Sequence, residues 1–101
     1  MEPVSSDDRR DLYEFEYPVS KLVIAKKDCV LGQHFHKLKD EIFLLITGTA
    51  RMCLGGEWLE MTLLERVYVP AGTMHTFELS AGSILLGYCS KPYDSTDDYR
   101  L

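Results

Sequence analysis

Three histidines and one glutamate carry the chemistry of this 101-residue chain. One residue separates His34 from His36, four separate His36 from Glu41, and six separate Glu41 from Gly48. A second group, Pro70-Ala71-Gly72, is followed after two intervening residues by His75, which completes the histidines of the protein. Neutral imidazoles with a carboxylate form a mixed nitrogen and oxygen donor set without thiolate. That set suits Fe, Mn, Co, Ni, Cu or Zn, and affinity order alone does not choose among them. Such an ion, if octahedral, keeps open positions where it can polarise a carbonyl or a vicinal diol, or acidify a bound water. Redox chemistry with dioxygen is open only to iron, copper and similar ions.

These residues need elements that bring them together, and the chain reads as short strands broken by turns. Val19 to Ala25, Val30 to His36, Glu41 to Thr47, Thr49 to Leu54, Glu57 to Met61, Arg66 to Val69, His75 to Leu79 and Ser83 to Ser90 are rich in β-branched, aromatic and aliphatic residues. Gly55-Gly56 is a two-residue hairpin turn. No segment sustains a helical period over a dozen residues. Eight short strands in one small domain give an all-β chain, a barrel or double-sheet jelly roll. Strand side chains alternate faces, so His34 and His36 share one and Phe35 takes the other. Lys37 to Asp40 then make a turn. Glu41 opens the next strand with Phe43 and Leu45 on its face, and His75 shares its face with Phe77 and Leu79. Phe43, Met52, Phe77 and Tyr88 are the expected substrate pocket beside the metal ligands His34, His36, Glu41 and His75.

Residues 1–17 are expected to form a leader or arm, with six acids against Arg9 and Arg10 and an apolar second half of Leu12, Tyr13, Phe15 and Tyr17. Residues 18–101 are expected to be the single folded domain, with the tail from Lys91 as a surface strap. A length near 100 residues is that of one domain. Hydrophobic residues at 46% and charged ones at 27% fit an ordinary globular protein. The net charge of -5, without a cluster of Lys and Arg, argues against nucleic acid or an anionic membrane as partner. The acidic start is no secretory signal, and the apolar runs Ile42 to Ile46 and Ile84 to Leu86 are too short to span a bilayer. A cytoplasmic protein is expected. Cys29, Cys53 and Cys89 lack metal-type spacing and read as unpaired thiols.

The two residue groups resemble the signature motifs of the cupin superfamily, G-x5-H-x-H-x3,4-E-x6-G and G-x5-P-x-G-x2-H-x3-N. The chain matches from His34 through Gly48 and at Pro70, Gly72 and His75. It departs where Asp28 and Leu64 take the leading glycine positions and Leu79 takes the closing asparagine. The resemblance implies a jelly-roll barrel, a homodimer, and one divalent transition ion (Fe, Mn, Ni or Zn) held by the four ligands. It is also similar to small cupins of sugar and surface-polysaccharide metabolism. The expected function is therefore isomerisation or epimerisation of a small carbohydrate or hydroxy-carbonyl compound. Glu41 is the candidate base if it can leave the metal, with Tyr68 and Tyr88 as alternatives. Two other readings stand beside it, a non-catalytic module binding a small ligand and an iron-dependent dioxygenase. A base for a substrate phosphate requires Lys37 or Arg51 to turn inward.

Overall fold

The computed structural model describes residues 2–16, 19–35, 40–89 and 99–100. Eleven strands appear among them: β1 (Ser5–Ser6), β2 (Arg10–Glu16), β3 (Val19–Ala25), β4 (Cys29–Phe35), β5 (Glu41–Thr47), β6 (Ala50–Leu54), β7 (Glu57–Glu60), β8 (Val67–Val69), β9 (His75–Leu79), β10 (Ile84–Cys89) and β11 (Tyr99–Arg100). They form two sheets with antiparallel pairing between neighbours, one in the order β1-β2-β3-β10-β5-β8 and one in the order β11-β4-β9-β6-β7. From β3 onward the chain passes from one sheet to the other at every connection except the β6–β7 hairpin, so these crossovers stitch the two layers together. No helix occurs among the described residues, and hence none long and apolar enough to cross a membrane. The protein is an all-β jelly roll, as its strand pattern implied.

Three strands run as the sequence suggested, Val19 to Ala25, Glu41 to Thr47 and His75 to Leu79. The others differ by a residue or so at an end. β2 belongs to the six-stranded sheet and pairs with β3 along its whole length, Arg10 opposite Ala25 and Glu16 opposite Val19. The turn expected at Lys37 to Asp40 and most of the C-terminal strap lie outside the described residues.

The core fills the space between the sheets. Phe43 and Leu45 point in from β5, Ala50 and Met52 from β6, Phe77 and Leu79 from β9, and Val23 and Ala25 from β3. Alternation along β5 shows the period plainly, with Glu41, Phe43 and Leu45 buried and Ile42 and Leu44 only partly so.

One end of the sandwich is locked by hydroxyls. Ser83, fully buried, accepts from the Thr49 amide at 3.1 Å and donates to the Thr49 carbonyl at 3.0 Å. Its Oγ also lies 2.7 Å from Ser80 Oγ. Gly48 fits against this serine with φ of 91°, and a Cβ there would sit 2.7 Å from Ser83 Cα. The Asp28 carboxylate accepts from the Ala81 amide at 2.8 Å, tying the β3–β4 turn to the β9–β10 turn.

The β1–β2 turn is held by charge. Asp7 accepts from the amides of Arg9 at 2.8 Å and Arg10 at 3.1 Å, and pairs with the Arg9 guanidinium at 3.0 Å. The Arg9 side chain, then its amide, holds the Asp7 carboxyl well below the usual range. Asp8 is lowered by Lys27, and Asp11 by Ser6 and Lys26. A carboxyl with a depressed folded-state pKa stabilises above its unfolded value, 3.8 here, and loses that contribution as pH falls through the folded value. The hairpin is therefore expected to loosen on acidification from pH 4 downward while the core persists. Hydrogen exchange at the Val4 and Lys26 amides, bonded to Leu12 and Arg9 carbonyls, reads this. Exchange there that stays as slow at pH 2.5 as at pH 5, after correction for intrinsic rates, would refute it.

Candidate functional site

Glu41 opens β5 and His75 opens β9, so the two sheets bring them face to face at one end of the core. Both side chains are 1% exposed, and Glu41 Oε1 lies 3.5 Å from His75 Nε2. The imidazole is oriented from behind, since its Nδ1–H donates to the Thr73 carbonyl at 3.2 Å. That bond leaves the lone pair of the neutral ring on Nε2, directed at the carboxylate. Metal-ligating histidines are commonly oriented in this way, one ring N–H given to a carbonyl and the other nitrogen left for the ion.

The sequence reading did not foresee Lys21. It lies on the inner side of β3 with Val23 and Ala25, and its Nζ is 2.9 Å from Glu41 Oε2. The ammonium also stands 5.5 Å above the centre of the Phe43 ring. Room for the lysine stem and that ring comes from Gly87 on β10. A Cβ at that position would come 2.8 Å from Phe43 Cε1 and 3.3 Å from Lys21 Cε.

The aromatic residues expected beside the site are there. Phe43 and His75 have ring centres 5.7 Å apart, His75 and Phe77 5.8 Å, and Phe43 and Phe77 4.7 Å in an edge-to-face pair. Met52 lies opposite Phe77 on β6 and is wholly buried. These side chains form a packed floor that keeps water away from the buried carboxylate. Tyr88 does not join them. Leu85 and Gly87 take the inward positions of β10, so Tyr88 falls on the outer face and is exposed. Tyr68 is also exposed, its hydroxyl bonded to Asp40, which raises its pKa.

Of the other expected ligands, His36 lies outside the described residues, as does the His34 side chain. The backbone of His34 is placed: β4 pairs with β9 so that His34 stands opposite His75. That register depends on a bulge between Gly32 and His34. Gly32 has φ of 103°, and a Cβ there would meet the His75 carbonyl oxygen at 3.0 Å.

Arg51 does not turn inward. It forks onto Glu78 on the outside of the five-stranded sheet, at 2.8 and 2.6 Å from Nη2, and its guanidinium lies 4.6 Å from the Trp58 ring. A shallow groove of about 480 Å³ runs there, lined in part by Val30, Arg51 and Glu78, and neither Glu41 nor His75 borders it. Cys29 and Cys53 are unpaired thiols. Burial pushes the Cys29 thiol up, away from reactivity.

Residues 10–89 match the family described as mannose-6-phosphate isomerase C-terminal. No curated protein matches the chain. Among solved structures it is similar to the capsular polysaccharide assembling protein CapF from Staphylococcus aureus. The TM-score is 0.83 at 25% identity, over 96% of this chain and 31% of CapF. The chain thus spans about a third of the length of that protein. It is also similar to KdgF from Halomonas sp., with TM-score 0.76 at 18% identity over 91% of this chain and 87% of that one. QdtA, a sugar 3,4-ketoisomerase from Thermoanaerobacterium thermosaccharolyticum in complex with TDP, gives TM-score 0.70 at 22% identity, over 81% of this chain and 65% of that one. The likenesses to KdgF and QdtA show a shared fold. The family match covers most of the chain, including Glu41 and His75, and the two-sheet architecture agrees with it: the protein belongs to the mannose-6-phosphate isomerase C-terminal family of the cupin superfamily.

Proposed function

We propose that this chain is a metal-binding cupin domain that isomerises or epimerises a small carbohydrate or hydroxy-carbonyl compound. The observation that carries the reading is the buried pair of Glu41 Oε1 and His75 Nε2, 3.5 Å apart with the imidazole locked from behind by Thr73. These two donors fit a divalent ion, and His34 and His36 complete the ligand set by their place in the first motif. Such an ion supplies Lewis acidity, polarising adjacent oxygens of a bound substrate. The rest falls to the chain. Thr73 fixes the ring of His75, Lys21 balances the charge of Glu41, and Phe43, Phe77 and Met52 keep water out beneath it. Glu41 is the carboxylate within the site that can hold a proton taken from a substrate carbon.

The sugar assignment is supported by the names of the relatives. The matched family is named for a sugar-phosphate isomerase, CapF for capsular polysaccharide assembly, and QdtA for isomerising a sugar ketone. Outward-facing Arg51 leaves Lys21 as a described inward cation, so a neutral or weakly anionic portion of the substrate is expected to meet Glu41. The protein is also proposed to act as a homodimer in the cytoplasm.

The test combines metal analysis with isotope exchange. Protein purified without chelator is expected to hold about one divalent ion per chain. In deuterium oxide it is expected to exchange a carbon-bound proton of a nucleotide-linked or phosphorylated keto sugar, seen by proton NMR. Metal without exchange across a panel of such sugars would leave a binding module. Iron with oxygen uptake would establish a dioxygenase instead.

A further inference from the structure

Lys21 stands in an unusual position for a lysine: on the inner side of a strand, its side chain 22% exposed, against a carboxylate that is 1% exposed. A buried carboxylate needs a cation, because removing it from water costs more than a surface pair returns. Lys21 meets that need on one oxygen of Glu41, Oε2, while the other, Oε1, faces His75. One oxygen of the carboxylate thus meets an ammonium, while the other faces an imidazole nitrogen. Building the arrangement required the glycine at position 87, since any Cβ there would crowd the lysine stem and the Phe43 ring beneath the ammonium.

We propose that Lys21 is the resident counter-cation of Glu41, and that a divalent ion and the Lys21 ammonium compete for that carboxylate. The proposal rests on the metal-binding reading above. A single negative charge cannot fully balance a lysine and a divalent ion together, and in a dry site like charges sharing one partner repel strongly. Binding couplings are reciprocal, so whatever the ammonium takes from metal affinity the metal takes from the ion pair. Lys21 then has two tasks: it keeps the metal-free domain folded, and it weakens metal binding so that the site selects against poorly held ions.

Lys21→Met tests this directly with cobalt(II) as probe, by chelator competition and thermal unfolding. Cobalt is expected to bind the variant at least about tenfold more tightly than it binds the wild type, within the usual range of such couplings. The metal-free variant is expected to unfold at lower temperature, and cobalt to raise that temperature more than it does for the wild type. Lys21→Arg keeps the charge and is expected to behave like wild type in both measurements. Equal cobalt affinity in wild type and Lys21→Met would overturn the competition while leaving the metal reading intact. Cobalt bound by neither, with the metal-free variant still less stable, would overturn both and make the pair a permanent salt bridge. Should Lys21→Met not fold, reductive ¹³C-methylation of the wild type follows the same lysine by NMR. Its signal is expected to move toward that of an exposed lysine on adding zinc, and an unmoved signal would overturn the proposal.

Discussion

His75→Ala is expected to leave purification with less than about a tenth of a metal ion per chain, against about one in the wild type. The reason is local. His75 supplies the nitrogen that faces Glu41, and the bond to the Thr73 carbonyl favours the tautomer in which this nitrogen would be open to a metal. Alanine removes that donor, the bond to Thr73 and the packing of the ring against Phe43 and Phe77. Losing a buried hydrogen bond and opening a partly filled cavity should cost about 2 kcal/mol. In a domain of this size that lowers Tm by roughly 10 °C, leaving the β circular-dichroism spectrum in place. Metal content and the melting curve check the two halves separately. A full complement of metal in the variant would move the site away from β9 altogether.

The second large effect is structural and lies at the opposite level of the argument. Gly48→Ala is expected to lower Tm by roughly 15–20 °C, the equivalent of about 3 kcal/mol. A φ of 91° is poor for any residue with a Cβ, and here the added carbon would also sit 2.7 Å from Ser83 Cα and 2.8 Å from its Cβ. Ser83 cannot retreat without breaking its bonds to both backbone groups of Thr49. Gly56→Ala is the control. Its φ is also 91°, but nothing lies within 4 Å of the missing Cβ, so only the backbone cost applies. Calorimetry on both variants separates the terms. Equal losses would mean that the close approach to Ser83 contributes nothing.

Gly48 also explains why a motif otherwise made of candidate ligands ends in a glycine. Leu64 makes the complementary point. It occupies the place of the second motif's leading glycine and, among the described residues, is the non-glycine residue with positive φ, 62°, its amide bonded to the Leu45 carbonyl. The backbone there demands the glycine conformation, and this chain meets the demand with an exposed leucine under strain.

The strands and the Glu41–His75 meeting were legible because alternation along β5 and β9 is anchored by unmistakable residues. Lys21 and Tyr88 were not, for one shared reason. In β3 both faces are apolar, Leu22 and Ile24 against Val23 and Ala25, so period two cannot say which looks inward. In β10 the run Ile84 to Tyr88 is apolar throughout, and the inward place went to glycine rather than tyrosine because the Phe43 ring fills the space. The whereabouts of Arg51 were equally hidden. Only the register of β6 against β9 pairs it with Glu78 on the outer face.

The bulge in β4 sets the phase of that strand. Before it, odd-numbered Cys29 and Leu31 pack on the core; after it, an even number, 34, stands opposite His75. A strand without the extra residue would have set position 33 there. The kink at Gly32 therefore acts as a reading-frame shift written in a torsion angle, setting which residue number stands opposite His75. A side chain at Gly32 would press on the His75 backbone and alter no charge, yet it could change which letters of the sequence the site is able to read.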